Sequence, residues 1–323
     1  MAIAADGFFV CDVLDPALKD DLASMEHPIF SLSTRPDRRI LRYAHNGVTL
    51  EVTPSVRGRA TIHDKDILIY CVSQLMAALN AGRKISRTLT LRAHDLLRAT
   101  KRDTSGDSYA RLREAFERLA GTRLTTNLST GEGEATRGFG LIESWEILRH
   151  AGGGRMSRVT VTLSEWIYRA VLNQSVLTLS REYFSLRKPL ERRIYELARK
   201  HCGRQPNWRV SVATLHKKSG SAAPLRVFRA ALRKMIKAAH LPDYEMSEEP
   251  GDIIGFSRRG QGAILEAPVL HPDTHQAARA LDPGADVYAL EADWQRWWHE
   301  TGRARLSNPD RAFLGWVKAR KKG

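Results

Sequence analysis

Four basic residues recur at intervals of three and four in PLRVFRAALRKMIKAAH (Pro224–His240): Arg226, Arg229, Arg233 and Lys237. At helical spacing they share an arc of about 80°. Leu225, Phe228, Leu232, Met235, Ile236 and Ala239 share a separate arc of about 100°. No acid lies within the segment. Such a stripe can track phosphates, and an arginine can donate two parallel hydrogen bonds to one guanine edge. The reading requires Arg226, Arg229 and Arg233 to stand clear of neighbouring acids. Lys217 and Lys218 end a short helical run (Ala213–Lys218) before a Ser-Gly-Ser turn, and Arg258 and Arg259 end a strand-like run (Ile253–Ser257). Both pairs are placed to extend a phosphate-facing surface.

A second candidate lies in HDLLRATKRDTSGDSYARLREAFERLAGTRLTTNL, which opens at His94. It reads as short helix, turn, longer helix and strand. Tyr109, Leu112, Phe116 and Leu119 keep to one helix face, and Gly121 is expected to stop the helix. The opposite face mixes Asp107, Arg111, Glu114 and Arg118, flanked by Lys101, Arg102 and Arg123. Helix–turn–helix–strand order suggests a winged helix-turn-helix, whose second helix can enter the major groove. The mixed charge predicts a weaker DNA role here than for Pro224–His240.

Other chemistries find little support. DNA nicking through a tyrosine needs that nucleophile beside a metal held by a close histidine pair. Tyr195 sits among helical packing positions, and no His-x-His occurs. His271 and His275 (HPDTH) lack partner cysteines and carry Pro272 between them, which argues against zinc. The glycines of Gly131–Gly133 lack the strand–GxxxxGK[ST]–helix context of a phosphate loop. Cys11, Cys71 and Cys202 form no CxxC pair, so no redox or structural metal motif is indicated. No catalytic role, cofactor or metal is expected.

The totals agree. The chain has 323 residues, 51 Lys+Arg against 36 Asp+Glu, and a net charge of +15. That excess favours a polyanionic partner, nucleic acid before anionic membrane. It falls outside residues 1–28, where six acids face one lysine. Without a signal peptide or long apolar run, a soluble cytoplasmic protein is expected.

The elements that must position these residues follow in order. Residues 1–28 are expected to be an acidic arm that frays. Ile29–Ser33, Ile40–Ala44 and Val48–Pro54 read as strands, with Asn46-Gly47 as a hairpin turn. Gly58–Gly82 contains an apolar helix opened by a Thr61/Asp64 capping box. Thr122–Leu128 and Phe139–Leu148 should pair as a wing around a glycine-rich tip, and Gly152–Gly154 marks a second turn. Lys188–Cys202, Trp208–Val212, Ala213–Lys218, Pro224–His240 and a closing hairpin repeat the same element order. Gly260–Pro283 reads as connector. Residues 286–323, with Trp294, Trp297, Trp298 and Trp316, read as two short helices that need an outside surface to pack on.

GRATIHDKDILIYCVSQL, the His94–Leu128 stretch and RRIYELARKHCG resemble the plasmid replication initiator protein A family, over roughly residues 28–260. The resemblance implies an α+β fold: two tandem winged-helix domains with a short C-terminal helical tail. The divisions would be an arm at 1–28, domains at 29–180 and 181–260, a linker at 261–284 and a tail at 285–323. It further implies sequence-specific binding to repeated origin elements (iterons), opening of the adjacent duplex, recruitment of host helicase, dimerisation through the first domain and repression of its own promoter. Ser108–Ala120 and Pro224–His240 would be the recognition helices. The alternatives are a winged-helix transcriptional regulator and, further off, a relaxase or nickase.

Overall fold

The computed structural model describes residues 8–127, 136–149, 156–203, 205, 207–259, 270–282, 285–301, 306 and 308–320. The expected glycine-rich tip at Gly131–Gly133, the Gly152–Gly154 turn and residues 261–269 and 283–284 of the connector lie outside these residues. One compact unit comprises Met1–Ala78 and Lys84–Gly260; a second comprises Leu79–Arg83 and Gln261–Gly323.

The first unit opens with β1 (Phe9–Val10), β2 (Lys19–Asp21) and α1 (Leu22–Glu26). This corrects the expectation of a frayed acidic arm. β2 pairs antiparallel with a later strand, β10 (Val176–Thr178), and Met25 is fully buried. The acids survive burial because they are partnered: Asp20 lies 2.6 Å from the Lys65 ammonium, and Asp21 caps α1 through Ser24 N.

β3 (Leu41–His45) and β4 (Val48–Thr53) form the expected hairpin. Asn46 and Gly47 both take left-handed φ, +48° and +78°, as a two-residue turn of this hand requires. Ile29–Ser33 forms no strand and keeps only an isolated bridge from Ser31 to Thr61. Thr61 and Asp64 exchange backbone-to-side-chain hydrogen bonds of 2.8 and 3.2 Å, so the capping box closes with Asp in place of Glu. Behind it α2 (Lys65–Asn80) is buried along almost its whole length.

Then follow β5 (Thr88–Arg92), α3 (Ala93–Ala99), α4 (Gly106–Gly121), β6 (Arg123–Thr126), β7 (Arg137–Gly140), β8 (Ile142–Arg149), β9 (Met156–Leu163), α5 (Glu165–Leu172) and β10. The stretch expected as one strand, Phe139–Leu148, is divided at Leu141. Its first part pairs with β6 and extends the sheet β3-β4-β6-β7; its second pairs with β9 in the sheet β1-β5-β9-β8. Leu141 and Ile142 are both buried, which a strand with a single solvent face would not give.

The remainder of the unit is α6 (Pro189–His201), β11 (Asn207–Ser211), α7 (Val212–Ser219), α8 (Leu225–Ala238), β12 (Tyr244–Glu249) and β13 (Ile253–Arg258). The strand order β11-β13-β12 matches the order β5-β9-β8 around α3 and α4. Apart from β6 and β7, which the first half inserts between α4 and β8, helix, strand, two helices and two strands therefore occur twice. The two halves do not stand apart: Met25 and Ile69 belong to the same core as Tyr195, Phe228 and Phe256.

Gly220 ends α7 in a left-handed conformation, φ +67°, and a Cβ there would lie 2.6 Å from Pro28 Cβ. Gly220→Ala is expected to lower stability by about 1–2 kcal/mol from backbone strain, before the clash with the proline ring. A urea midpoint unchanged from the parent protein would contradict this.

The second unit holds α9 (Pro272–Leu281), α10 (Val287–Glu300) and α11 (Pro309–Arg320). Here the connector reading needs correcting, because Pro272 starts a helix, where its missing N–H costs nothing. Three helices share a core around Trp294, Phe313, Val317 and Leu290, so the tail does not depend on an outside surface for its packing. His275 is buried and bonded to Glu291 at 2.8 Å. No group of three or more metal-capable side chains occurs among the described residues. No helix among them is long and apolar enough to cross a membrane.

Candidate nucleic-acid interface

The α7–α8 pair presents the basic stripe. Ser211 caps α7 by accepting from Thr214 N at 3.1 Å, and Gly220 turns the chain toward α8. Phe228, Leu232 and Met235 bury the inner face of α8 as expected, while Ala239 is an exposed left-handed cap instead of a core residue. The outer face is therefore fixed in orientation by the core beneath it.

That face is not free of acids, which corrects the expectation that Arg226, Arg229 and Arg233 all stand clear of them: Arg229 and Arg233 do not. Arg229 donates from Nε and Nη2 to the two carboxylate oxygens of Asp252, each at 2.8 Å. Arg233 does the same to Glu248, with Nε–Oε2 at 2.9 Å and Nη2–Oε1 at 2.7 Å. The acids come from the β12–β13 hairpin, 15 and 23 residues further along the chain. The stripe is uncompensated within its helix and compensated across space. The arginine hydrogen bonds hold the Asp252 and Glu248 carboxyls below their ordinary range. Both pairs are solvent-accessible, and such pairs contribute little to stability.

Arg226 and Lys237 are exposed and make no ion pair or side-chain hydrogen bond among the described residues. Lys234, which the sequence reading passed over, is exposed on the same helix. It lies to one side of the narrow basic arc, and only the burial pattern shows that the open face is wide enough to include it. Lys217 on α7 is also exposed.

The remaining candidates do other work. Lys218 is 6% exposed and pairs with Glu26, so burial removes it from any surface contact. Arg258 donates to the carbonyl of Gly203, and Arg259 donates to the carbonyls of Leu241 and Ala239, tying the hairpin to the ends of α6 and α8. In the first half, Arg118 forms a two-point pair with Asp64 at 2.7 and 2.8 Å, locking α4 to the start of α2. Arg102 binds Asp66 and the carbonyl of His63, and Lys101 binds Glu182 and Ser185. Arg111 alone of these remains exposed on α4, with its Nε 3.3 Å from the Asp107 carbonyl. Of the candidate cations, those left exposed without an ion pair among the described residues are Arg226, Lys237 and Lys217 on α7 and α8 and Arg111 on α4.

Beneath the surface runs a buried polar network. The Lys65 ammonium lies between Asp20 at 2.6 Å and Glu196 at 3.1 Å; burial raises the proton affinity of Asp20, the Lys65 charge opposes that rise, and the Glu196 carboxylate adds to it. Arg193 donates to the carbonyls of Ser24, Met25, Glu26 and Lys218. Arg192 pairs with Asp66. The segment RRIYELARKHCG is largely this junction between α6, α1 and α2.

A family model described as replication initiator protein A matches residues 19–246. A protein of Wigglesworthia glossinidia brevipalpis named as a replication protein is 40% identical over 257 residues, 78% of this chain and 93% of its own length. Among solved structures, a crystal structure of domains 2 and 3 of RctB superposes with a TM-score of 0.53 at 15% identity, covering 70% of this chain and 92% of that one. At that identity the likeness speaks for the fold alone.

Proposed function

Because the chain belongs to the replication initiator protein A family, we propose that it initiates replication by binding duplex DNA, with α8 as the principal recognition helix. The two helix–strand–helix–helix–strand–strand halves are read as tandem winged-helix modules. The observation that carries the proposal is the exposed Arg226, Lys234 and Lys237 on a helix whose opposite face is anchored in the core. The target is repeated origin DNA. Opening of the adjacent duplex, recruitment of a host helicase, self-association through the first half and repression of the chain's own promoter belong to the same reading.

The reading assigns no catalytic residue. Tyr195, the one tyrosine weighed as a nucleophile, is buried; its hydroxyl donates to Asp243 at 3.0 Å and accepts from Ser180 N at 2.7 Å. Burial raises its pKa well above the ordinary tyrosine value, against a phenolate nucleophile. Footprinting of the full-length chain on DNA flanking its own gene tests the proposal. Protection in evenly spaced repeats is expected, with supercoiled DNA left intact in magnesium or manganese. Uniform protection would refute sequence-specific binding, and nicked product would refute the non-catalytic assignment.

A further inference from the structure

The carboxylates on the hairpin leave part of each arginine unused. A guanidinium has five N–H donors: one on Nε and two on each Nη. Asp252 and Glu248 engage Nε and Nη2 of Arg229 and Arg233, the side of the fork. Nη1 of both arginines donates to nothing among the described residues. The open end, formed by Nη1 and the second hydrogen of Nη2, matches the O6 and N7 acceptors of guanine. The two side chains are 28% and 59% exposed, so that end can be reached. The clamps are themselves held. The Asp252 carbonyl accepts from Val212 N at 2.9 Å, and Glu248 sits in the paired part of the hairpin opposite Ile254.

We infer that Asp252 and Glu248 are positioning residues for base readout: they fix Arg229 and Arg233 so that each presents its end-on donor pair to a guanine in the major groove. The inference rests on the DNA-binding reading of α8. An arginine without a clamp is a flexible cation that can follow any phosphate. Clamped from the side, it loses rotamer freedom before binding and offers two donors in a fixed plane. Arg229 and Arg233 are one turn apart, about 6 Å along the helix, which is on the order of two 3.4 Å base steps. The carboxylates also repel backbone phosphates from this edge, which favours readout of bases over general adhesion.

The test uses the full-length chain and a duplex that it selects from a random-sequence library. Single guanines are then replaced by 7-deazaguanine, which lacks only the N7 acceptor. The parent protein should lose on the order of tenfold in affinity at two guanines about two base steps apart. Arg229→Lys and Arg233→Lys should each erase that loss at one of them. Asp252→Asn and Glu248→Gln should shrink it at the same guanines, while affinity for random duplex stays level or rises. Both pairs are at the surface, and thermal melting of each variant checks that the fold is kept. If a duplex is selected but 7-deazaguanine has no effect anywhere, the inference fails and DNA recognition stands. The inference also fails if the carboxamide variants bind every duplex more tightly by one common factor, with the guanine effect intact. If no sequence is selected at all, the DNA-binding reading falls and takes the inference with it.

Discussion

Asp66→Ala is expected to destabilise the folded chain by about 3–5 kcal/mol, the range for breaking one side of a buried ion pair. Asp66 is 1% exposed and sits at the start of α2, where the capping box fixes the first turn. Its carboxylate accepts from Arg192 on α6 and, at 2.8 Å, from Arg102 beyond α3. Arg192 is 2% exposed. Its Nε already donates to the Leu186 carbonyl at 2.7 Å, and its guanidinium lies over the Tyr183 ring, 5.2 Å from the centroid. Without Asp66 the Arg192 charge remains buried beside an aromatic face with its principal counter-ion gone. The cost comes from stranding a charge, so removing both partners should cost much less than removing one. Asp66→Ala combined with Arg192→Met should recover most of the loss. Urea unfolding of the four corners of this cycle measures it. A single-variant loss below about 1 kcal/mol would mean that water reaches Arg192 and that the network is not dry.

The second large effect concerns binding. Replacing Arg226, Lys234 and Lys237 together by alanine is expected to weaken origin binding by about a hundredfold or more, taking roughly 1 kcal/mol for each lost contact. The three residues are exposed and unpaired among the described residues, and α8 is held by Phe228, Leu232 and Met235 beneath them. Stability should therefore change little, since alanine is the better helix former at each position. The salt dependence supplies a separate readout. Each phosphate contact removed should lower the slope of log K against log salt by about 0.9. A control change that removes the two exposed arginines of α4, Arg111 and Arg113 to alanine, should leave the slope nearly unchanged if α8 dominates. Equal losses from the two sets would place the main interface elsewhere.

How far the sequence reveals this arrangement depends on the range of the interactions. Asn46-Gly47 and the Thr61/Asp64 box are legible because their geometry is decided within four residues. The amphipathic order of α8 is legible for the same reason, since its core and basic arcs follow from helical spacing. Asp252 and Glu248 were not legible as partners of the stripe. The hairpin that brings them there lies beyond the end of the helix, 15 and 23 residues from the arginines they meet, and their contact with α8 is tertiary. Lys218 and Arg118 look like surface cations in sequence, and only the fold shows Glu26 and Asp64 drawing them inward. The N-terminal acids misled in the opposite direction: their charge suggested solvent, yet Asp20 lies 2.6 Å from the ammonium of a lysine that the core has buried. Charge patterns give the sign of a surface; which charges reach solvent is settled by pairing across distant segments.

The central claim is that this chain distinguishes its origin DNA from other duplexes through α8. The most direct measurement is the ratio of dissociation constants for DNA flanking its own gene and for random duplex of equal length, at about 0.15 M salt. A specific initiator should show a ratio of about a thousand or more, and Arg226→Ala with Lys237→Ala should reduce it. Equal affinity for the two duplexes would contradict the account.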